Sequence, residues 1–190
     1  MPAQAANATE DESCRPGVLP VLPGVNSSVV DAVDPSGRWL VSSGRDRNDV
    51  DRLFLSDDGT VIDLGDAVSG AAASGINSAG TVIGSSPGRS YSAWKYRDGQ
   101  VVQLPGTSAG DSVFSSDINE DGTIVGDQMD ARTQLSVPLR WSPAGVVAAL
   151  PLLPGDNYAE AQLLDGDGAA VGTGGFDARD THTLTSKPVY

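Results

Sequence analysis

The sequence holds one cysteine, Cys14, and one histidine, His182. No disulfide can close within such a chain, and no Cys/His set can hold a structural zinc. A Cys–His nucleophilic pair would need these two residues alone. Basic residues are scarce: 12 Lys and Arg stand against 25 Asp and Glu, a net charge of −13. Nucleic acid is not expected as a partner, because phosphate binding needs a basic surface. Anionic membrane surfaces are disfavoured for the same reason, and the acidity itself reads as a solubility device. No apolar run approaches the roughly 18–20 residues of a membrane span. The chain also lacks a Gly-x-Ser-x-Gly elbow, a Gly-rich phosphate loop and a metal-spaced histidine pair. The expectation is therefore no metal, no cofactor and no catalytic residue that can be named.

What the chain does have is glycine, 23 residues of it, and repetition. The stretch Ser116-Asp117-Ile118-Asn119-Glu120-Asp121-Gly122-Thr123-Ile124-Val125-Gly126 recurs as Ser74-Gly75-Ile76-Asn77-Ser78-Ala79-Gly80-Thr81-Val82-Ile83-Gly84. Looser copies run from Asp31 to Val41 and from Gln162 to Gly172. The turn glycines Gly37, Gly80, Gly122 and Gly168 are spaced by 43, 42 and 46 residues. A period near forty built from β-type phrases predicts a repeat architecture, a propeller first among them. In each copy Asn or Asp opens a turn and Gly closes it, between flanking Val, Ile and Leu of high strand propensity.

A second hairpin follows in each repeat: Leu53–Leu64, Ala93–Leu104 and Pro138–Leu150. Apolar and polar residues alternate there, the period of a strand with one buried face. Phe54, Trp94, Tyr96 and Trp141 lie on these strands and are expected to fill the space between sheets. Each repeat thus contains four strands, A to D. In the fourth copy Pro188-Val189-Tyr190 matches Pro138-Leu139-Arg140, inside strand C. The stretch Val18–Asn26 matches Ala149–Asn157 at an offset of 131 residues, about three periods. Residues 18–24 then read as the strand D missing at the other terminus. The fold expected is all-β: a four-bladed propeller over 16–190, closed by pairing of the N-terminal strand with the last blade. Its repeats span about 26–66, 67–107, 108–155 and 156–190 plus 16–24. An excised piece of a longer array is the alternative. Residues 1–15 read as a disordered leader.

The phrase Ile118-Asn119-x-x-Gly122-x-x-Val125-Gly126, the aromatic strand after it, and Leu150-Pro151 with Leu153-Pro154-Gly155 resemble the HAF repeat. That repeat is described in bacterial proteins taken to be extracellular. The resemblance covers residues from about 18 to 190. It departs at Trp39-Leu40-Val41 in the first copy and at Leu164, Ala169 and Ala170 in the fourth. It implies a propeller-like fold and export, and it brings no catalytic set. The small, Ala-rich start, Met1 to Ala8, reads like what remains after cleavage of an export signal. An extracellular location is expected.

A meander sorts its loops onto two faces. The tight A–B and C–D turns share one; the B–C loops and D–A connections share the other, where scaffolds carry function. The B–C loops are read as Gly44–Asp51, Ser85–Tyr91, Asp127–Thr133 and Thr173–His182. Each contains arginine: Arg45 and Arg47, Arg89, Arg132, Arg179. A guanidinium fork matches carboxylate or phosphate, so a ring of these could hold an anionic or polyhydroxylated ligand. The plainer reading pairs them with Asp46, Asp49, Asp130, Asp177 and Asp180, exposed contacts worth little. Arg47, Arg89, Tyr91, Arg132, Tyr158, Arg179 and His182 are the candidate ligand-binding residues. Calcium in Asn119–Gly122 or Asp165–Gly168 is weighed against a hairpin turn, which explains the same residues. The leading expectation is an exported, monomeric module that binds a small molecule, glycan or protein on its loop face. A metal-free lyase, cyclase or glycosidase using channel-mouth Asp, Arg and Tyr is the alternative, which a pocketed carboxylate of perturbed pKa would favour.

Overall fold

The computed structural model describes residues 24–178 and 183–189, with 177–178 and 183–189 as backbone only. The strands form four antiparallel meander sheets, one within each repeat. Sheet 1 contains β1 (Val25–Val33), β2 (Trp39–Asp46), β3 (Asp51–Asp57) and β4 (Thr60–Asp63). Sheet 2 contains β5 (Ala72–Ile76), β6 (Val82–Ser86), β7 (Ser92–Arg97) and β8 (Gln100–Gln103). Sheet 3 contains β9 (Ser112–Ile118), β10 (Ile124–Met129), β11 (Ser136–Trp141) and β12 (Val147–Ala149). Sheet 4 contains β13 (Tyr158–Leu164), β14 (Ala170–Ala178) and β15 (Thr183–Val189), in that order. One 3-10 turn, Asp66–Val68, joins sheets 1 and 2. The expected closing strand, residues 16–24, lies outside the described residues save for Gly24, as do Cys14 and the leader. No helix among the described residues is long and apolar enough to cross a membrane.

The turns behave as their chemistry predicts. Asn77 Oδ1 accepts from the amides of Ala79 and Thr81, and Gly80 closes the turn at φ 71°. Asn119 and Asp165 do the same for Thr123 and Ala169. In sheet 1 Asp34 caps Trp39, one residue further on than its counterparts reach. That extra residue explains why the first copy departs at Trp39-Leu40-Val41. Two C–D turns are Asp-Gly pairs with both residues at positive φ, Asp58-Gly59 and Asp98-Gly99, as two-residue hairpins require.

The final glycine of the repeat has a packing cause. Each A strand carries a bulge, so its ladder to the B strand slips by one residue at Ser74, Ser116 and Gln162. The bulged backbone presses onto Gly84, Gly126 and Gly172. A Cβ there would lie 2.3, 2.0 and 1.8 Å from the carbonyl oxygens of Ala72, Phe114 and Glu160. No side chain fits.

Inner strands pack in sequence, β1 on β5, β5 on β9 and β9 on β13. Between sheets 1 and 2 lies a core of Val41, Leu53, Leu55, Ile76, Val82, Trp94 and Tyr96. Between sheets 2 and 3 lies one of Ile83, Leu104, Val113, Ile118, Ile124, Leu139 and Trp141. Trp94, Tyr96 and Trp141 are 6% exposed or less and sit in these cores, so they fill the space between sheets; Phe54 is 3% exposed but belongs to neither core. Trp141 Nε1 donates to the carbonyl of Pro105, 2.8 Å away. Pro188 pairs with Thr173 as Pro138 pairs with Asp127, which confirms the alignment of the fourth copy on the third. At the ends of the series apolar surface is open: Val29, Val33, Val171 and Phe176 are 66, 51, 40 and 48% exposed.

Candidate functional site

Two concavities stand out from the way the sheets are arranged. The first lies where the inner strands converge at the A–B turns. It encloses about 390 Å³ and takes residues from all four sheets, among them Val33, Ile76, Ile118 and Leu164. Its polar rim is already engaged within the fold. Ser78 N donates to Glu120 Oε2 at 3.0 Å, and Ser78 Oγ lies 3.1 Å from both Glu120 Oε1 and Asp34 Oδ2. Asn77 Nδ2 donates to the Asn119 carbonyl at 3.1 Å, and the Leu164 amide to Asp117 Oδ2 at 2.7 Å. These bonds tie each turn to the next. Burial resists ionisation of Asp34, yet hydrogen bonds from Ser36, Trp39 and Ser78 outweigh it and hold the carboxyl down to about 2. The acidic turns are therefore structural joints, and among the described residues no acidic or histidine group is arranged to hold a metal.

The second concavity, about 460 Å³, opens on the opposite face, at the start of β1. Ser27, Ser28, Asp31, Ser43, Arg45 and Asp51 line it, with the D–A connection Gly70–Ala72 as its floor. The β1–β2 ladder places these groups side by side, Ser27 opposite Arg45 and Val29 opposite Ser43. Ser43 Oγ donates to Asp31 Oδ1 at 3.1 Å. Partial desolvation raises the Asp31 carboxyl from its ordinary value, against the hydrogen bonds from Ser43. Arg45 Nε donates to Asp51 at 2.9 Å, and Asp49 stands 3.3 Å from the same guanidinium. Ser27 and Ser43, the Asp31 carboxylate and the oriented Arg45–Asp51 pair place donors and acceptors on one face of the β1–β2 ladder.

Among the described residues, no concavity described here is lined by more than one of the candidate residues. The B–C loops are shorter than expected, 47–50, 87–91 and 130–135, because the ladders of strands B and C continue to the pairs Arg45–Asp51, Ser86–Ser92 and Met129–Ser136. Asp127 thus lies within β10 and not in a loop. Arg47 borders a shallow hollow with Gly24, Asp46 and Asn48, beside the Arg45 cleft. Arg89 and Arg132 are exposed and line neither concavity. Tyr91 packs on Phe114, ring centroids 4.9 Å apart, and joins sheets 2 and 3. Tyr158 is half-buried in β13, opposite Gly175. Arg179 and His182 lie outside the described residues. Asp31, Ser27, Ser28 and Ser43 escaped the sequence reading because they are strand residues. Only their place on β1 and at the facing position of β2, where most of the side chains of β1 are exposed, marks them.

One further carboxylate is unusual. Burial first, and then the nearby Glu160 charge, push Asp127 up to about 6, against a hydrogen bond from Ser136. It lies between sheets 3 and 4 and lines neither concavity.

No family model matches the chain, and no curated protein matches it. Among solved structures, one assigned to a TolB protein of Agrobacterium tumefaciens is similar, with a TM-score of 0.57 at 16% identity. The match covers 83% of this chain and 59% of that one, so this chain spans well under two thirds of the other's length. At that identity the likeness shows the fold: a β-rich chain resembling a TolB-like propeller.

Proposed function

We propose that this chain is an exported binding module of propeller type, closed by residues 16–24 beside β15, that takes a polyhydroxylated ligand in the loop-face cleft of sheet 1. The observation that carries this reading is the placement of Ser27, Ser43, Asp31 and the Arg45–Asp51 pair around one cleft of about 460 Å³. Sugars are recognised by such arrays of hydroxyl, carboxylate and guanidinium groups, each satisfying two or three ligand oxygens. Support for export comes from the HAF-type phrases. Titration calorimetry against neutral and acidic oligosaccharides tests it. Saturable binding weakened at least tenfold by Ser43→Ala and by Asp31→Asn is expected. Absence of binding across the panel, or binding that neither substitution changes, would refute it.

A second reading, a metal-free enzyme, draws on Asp127. A carboxyl that titrates near 6 suits proton transfer at neutral pH. Its partners are Ser136 and Glu160, within the fold, and no cavity described above reaches it, so the binding module is preferred.

A further inference from the structure

The concavity at the A–B turns takes its walls from the inner strands and turns of all four sheets and encloses about 390 Å³. One side of it is hydrocarbon: Ala32, Val33 and Pro35 of sheet 1 and Ile76 of sheet 2. The other side carries charge. Asp117 and Glu120 of sheet 3 and Asp165 of sheet 4 line it, with Ile118 and Leu164 next to them along the chain. No Lys, Arg or His is among its lining residues. The ion pairs among the described residues use Asp49, Asp51, Asp57, Asp63, Asp66 and Asp98, and none of these lines the concavity.

The fold uses the oxygens of these carboxylates but does not need their charge. Asp165 Oδ1 accepts from the Ala169 amide at 2.7 Å. In the two preceding sheets the neutral Asn119 and Asn77 accept from the Thr123 and Thr81 amides in the same way. The residue after the cap is Pro35, Ser78, Glu120 or Gly166, so the turn itself does not require Glu120. Glu120 accepts from Ser78, a task that a neutral amide oxygen can also do. Asp117 pairs with Val125 where Gly75 pairs with Ile83, so the strand does not call for a carboxylate there either. Hydrogen bonds hold all three in place, and among the described residues no cation balances them. They stand on the rim of a half-apolar hollow in a chain of net charge −13.

We infer that this hollow binds a small aliphatic ammonium ion, its hydrocarbon chain against Val33, Ile76, Ile118 and Leu164 and its charged head among Asp117, Glu120 and Asp165. A primary ammonium has three donors and no acceptor, which matches a rim of carboxylate oxygens without a cation. Its alkyl chain removes the hydrocarbon wall from water. A bare metal ion would gain nothing from that wall, and an anion would be repelled by the rim. The site lies on the turn face, opposite the sheet 1 cleft, and stands independently of the sugar-binding reading.

The probe is n-hexylammonium chloride, titrated into the whole chain near neutral pH while NMR follows the methyl groups of Ile76, Ile118 and Leu164. Saturable shifts at these methyls are expected. Affinity should fall about two- to fourfold for each methylene removed on going to n-butylammonium. Hexanol, which has the chain without the charge, should bind about fivefold more weakly or worse. Glu120→Gln and Asp165→Asn keep the oxygens that the turns use, and each should weaken binding about two- to fivefold. Asp165→Asn copies the asparagine of the two preceding repeats, so the test survives if Glu120→Gln disturbs folding. Asp31→Asn, in the sheet 1 cleft, should leave binding unchanged. The inference is overturned by methyls that do not shift, by hexanol binding as well as the ammonium, or by binding that Asp31→Asn weakens and Asp165→Asn does not. A pentalysine peptide bound there about tenfold more tightly than hexylammonium would assign the rim to a basic polypeptide and overturn the small-ligand assignment.

Discussion

Gly126→Ala isolates the cause assigned to the last glycine of the repeat. The added methyl would start 2.0 Å from the Phe114 carbonyl oxygen and 2.9 Å from Ser115 Cα, both backbone atoms. Real contacts of this kind begin near 3.0–3.4 Å, so β9 and β10 must part by roughly 1 Å. Their ladder cannot stretch that far without losing hydrogen bonds, each worth about 1 kcal/mol net. Overpacking adds about 1–3 kcal/mol. The sum, about 3–5 kcal/mol, is a large share of the 5–15 kcal/mol typical of a domain. Urea unfolding followed by circular dichroism should show it, and thermal unfolding a fall in Tm of roughly 10 °C. Gly75→Ala is the control. Its Cβ would meet Ile83 and Ile118 side chains at 3.4 and 3.5 Å, ordinary contacts, and its φ is not positive. It should change stability by less than about 1 kcal/mol, in the stabilising direction through the unfolded chain. If Gly126→Ala proved no less stable than Gly75→Ala, the bulge would not be what excludes a side chain there.

Three further outcomes follow. Asp34 is held below its unfolded value, so its contribution is present above about pH 4 and disappears as pH falls through about 2. Acid titration should show roughly 2 kcal/mol lost over that window, and Asp34→Asn should flatten it. Asp127 is shifted the opposite way, to about 6, so the fold loses stability as pH rises from about 4 through about 6. Asp127→Asn should therefore raise stability at pH 7 by about 1–3 kcal/mol and leave it nearly unchanged at pH 4. Trp141→Phe keeps a ring in the core but leaves the Pro105 carbonyl without its 2.8 Å donor. It should cost about 1–3 kcal/mol in urea unfolding, and a variant as stable as the parent would deny that bond its role.

Local chemistry was written in the sequence because it acts over a few residues. Asn77, Asn119 and Asp165 each cap a turn of their own, and Gly80, Gly122 and Gly168 each supply a positive φ. The four sheets and the buried aromatic strands followed from these and from the alternation around them. The partners of the loop side chains did not follow, because sequence period places loops on one face without setting where long side chains point. Arg45 turned to Asp49 and Asp51, and Tyr91 to Phe114.

What the sequence determined by itself was the repeat, its four-stranded unit and the faces of each strand, all functions of spacing along the chain. Only the tertiary structure decided which surfaces stay open. Whether a strand residue such as Ser43 faces a neighbour or solvent depends on how one sheet stacks on the next. That stacking is set by side-chain volumes drawn from repeats more than forty residues apart, as where Ile83, Ile118 and Trp141 fill one boundary.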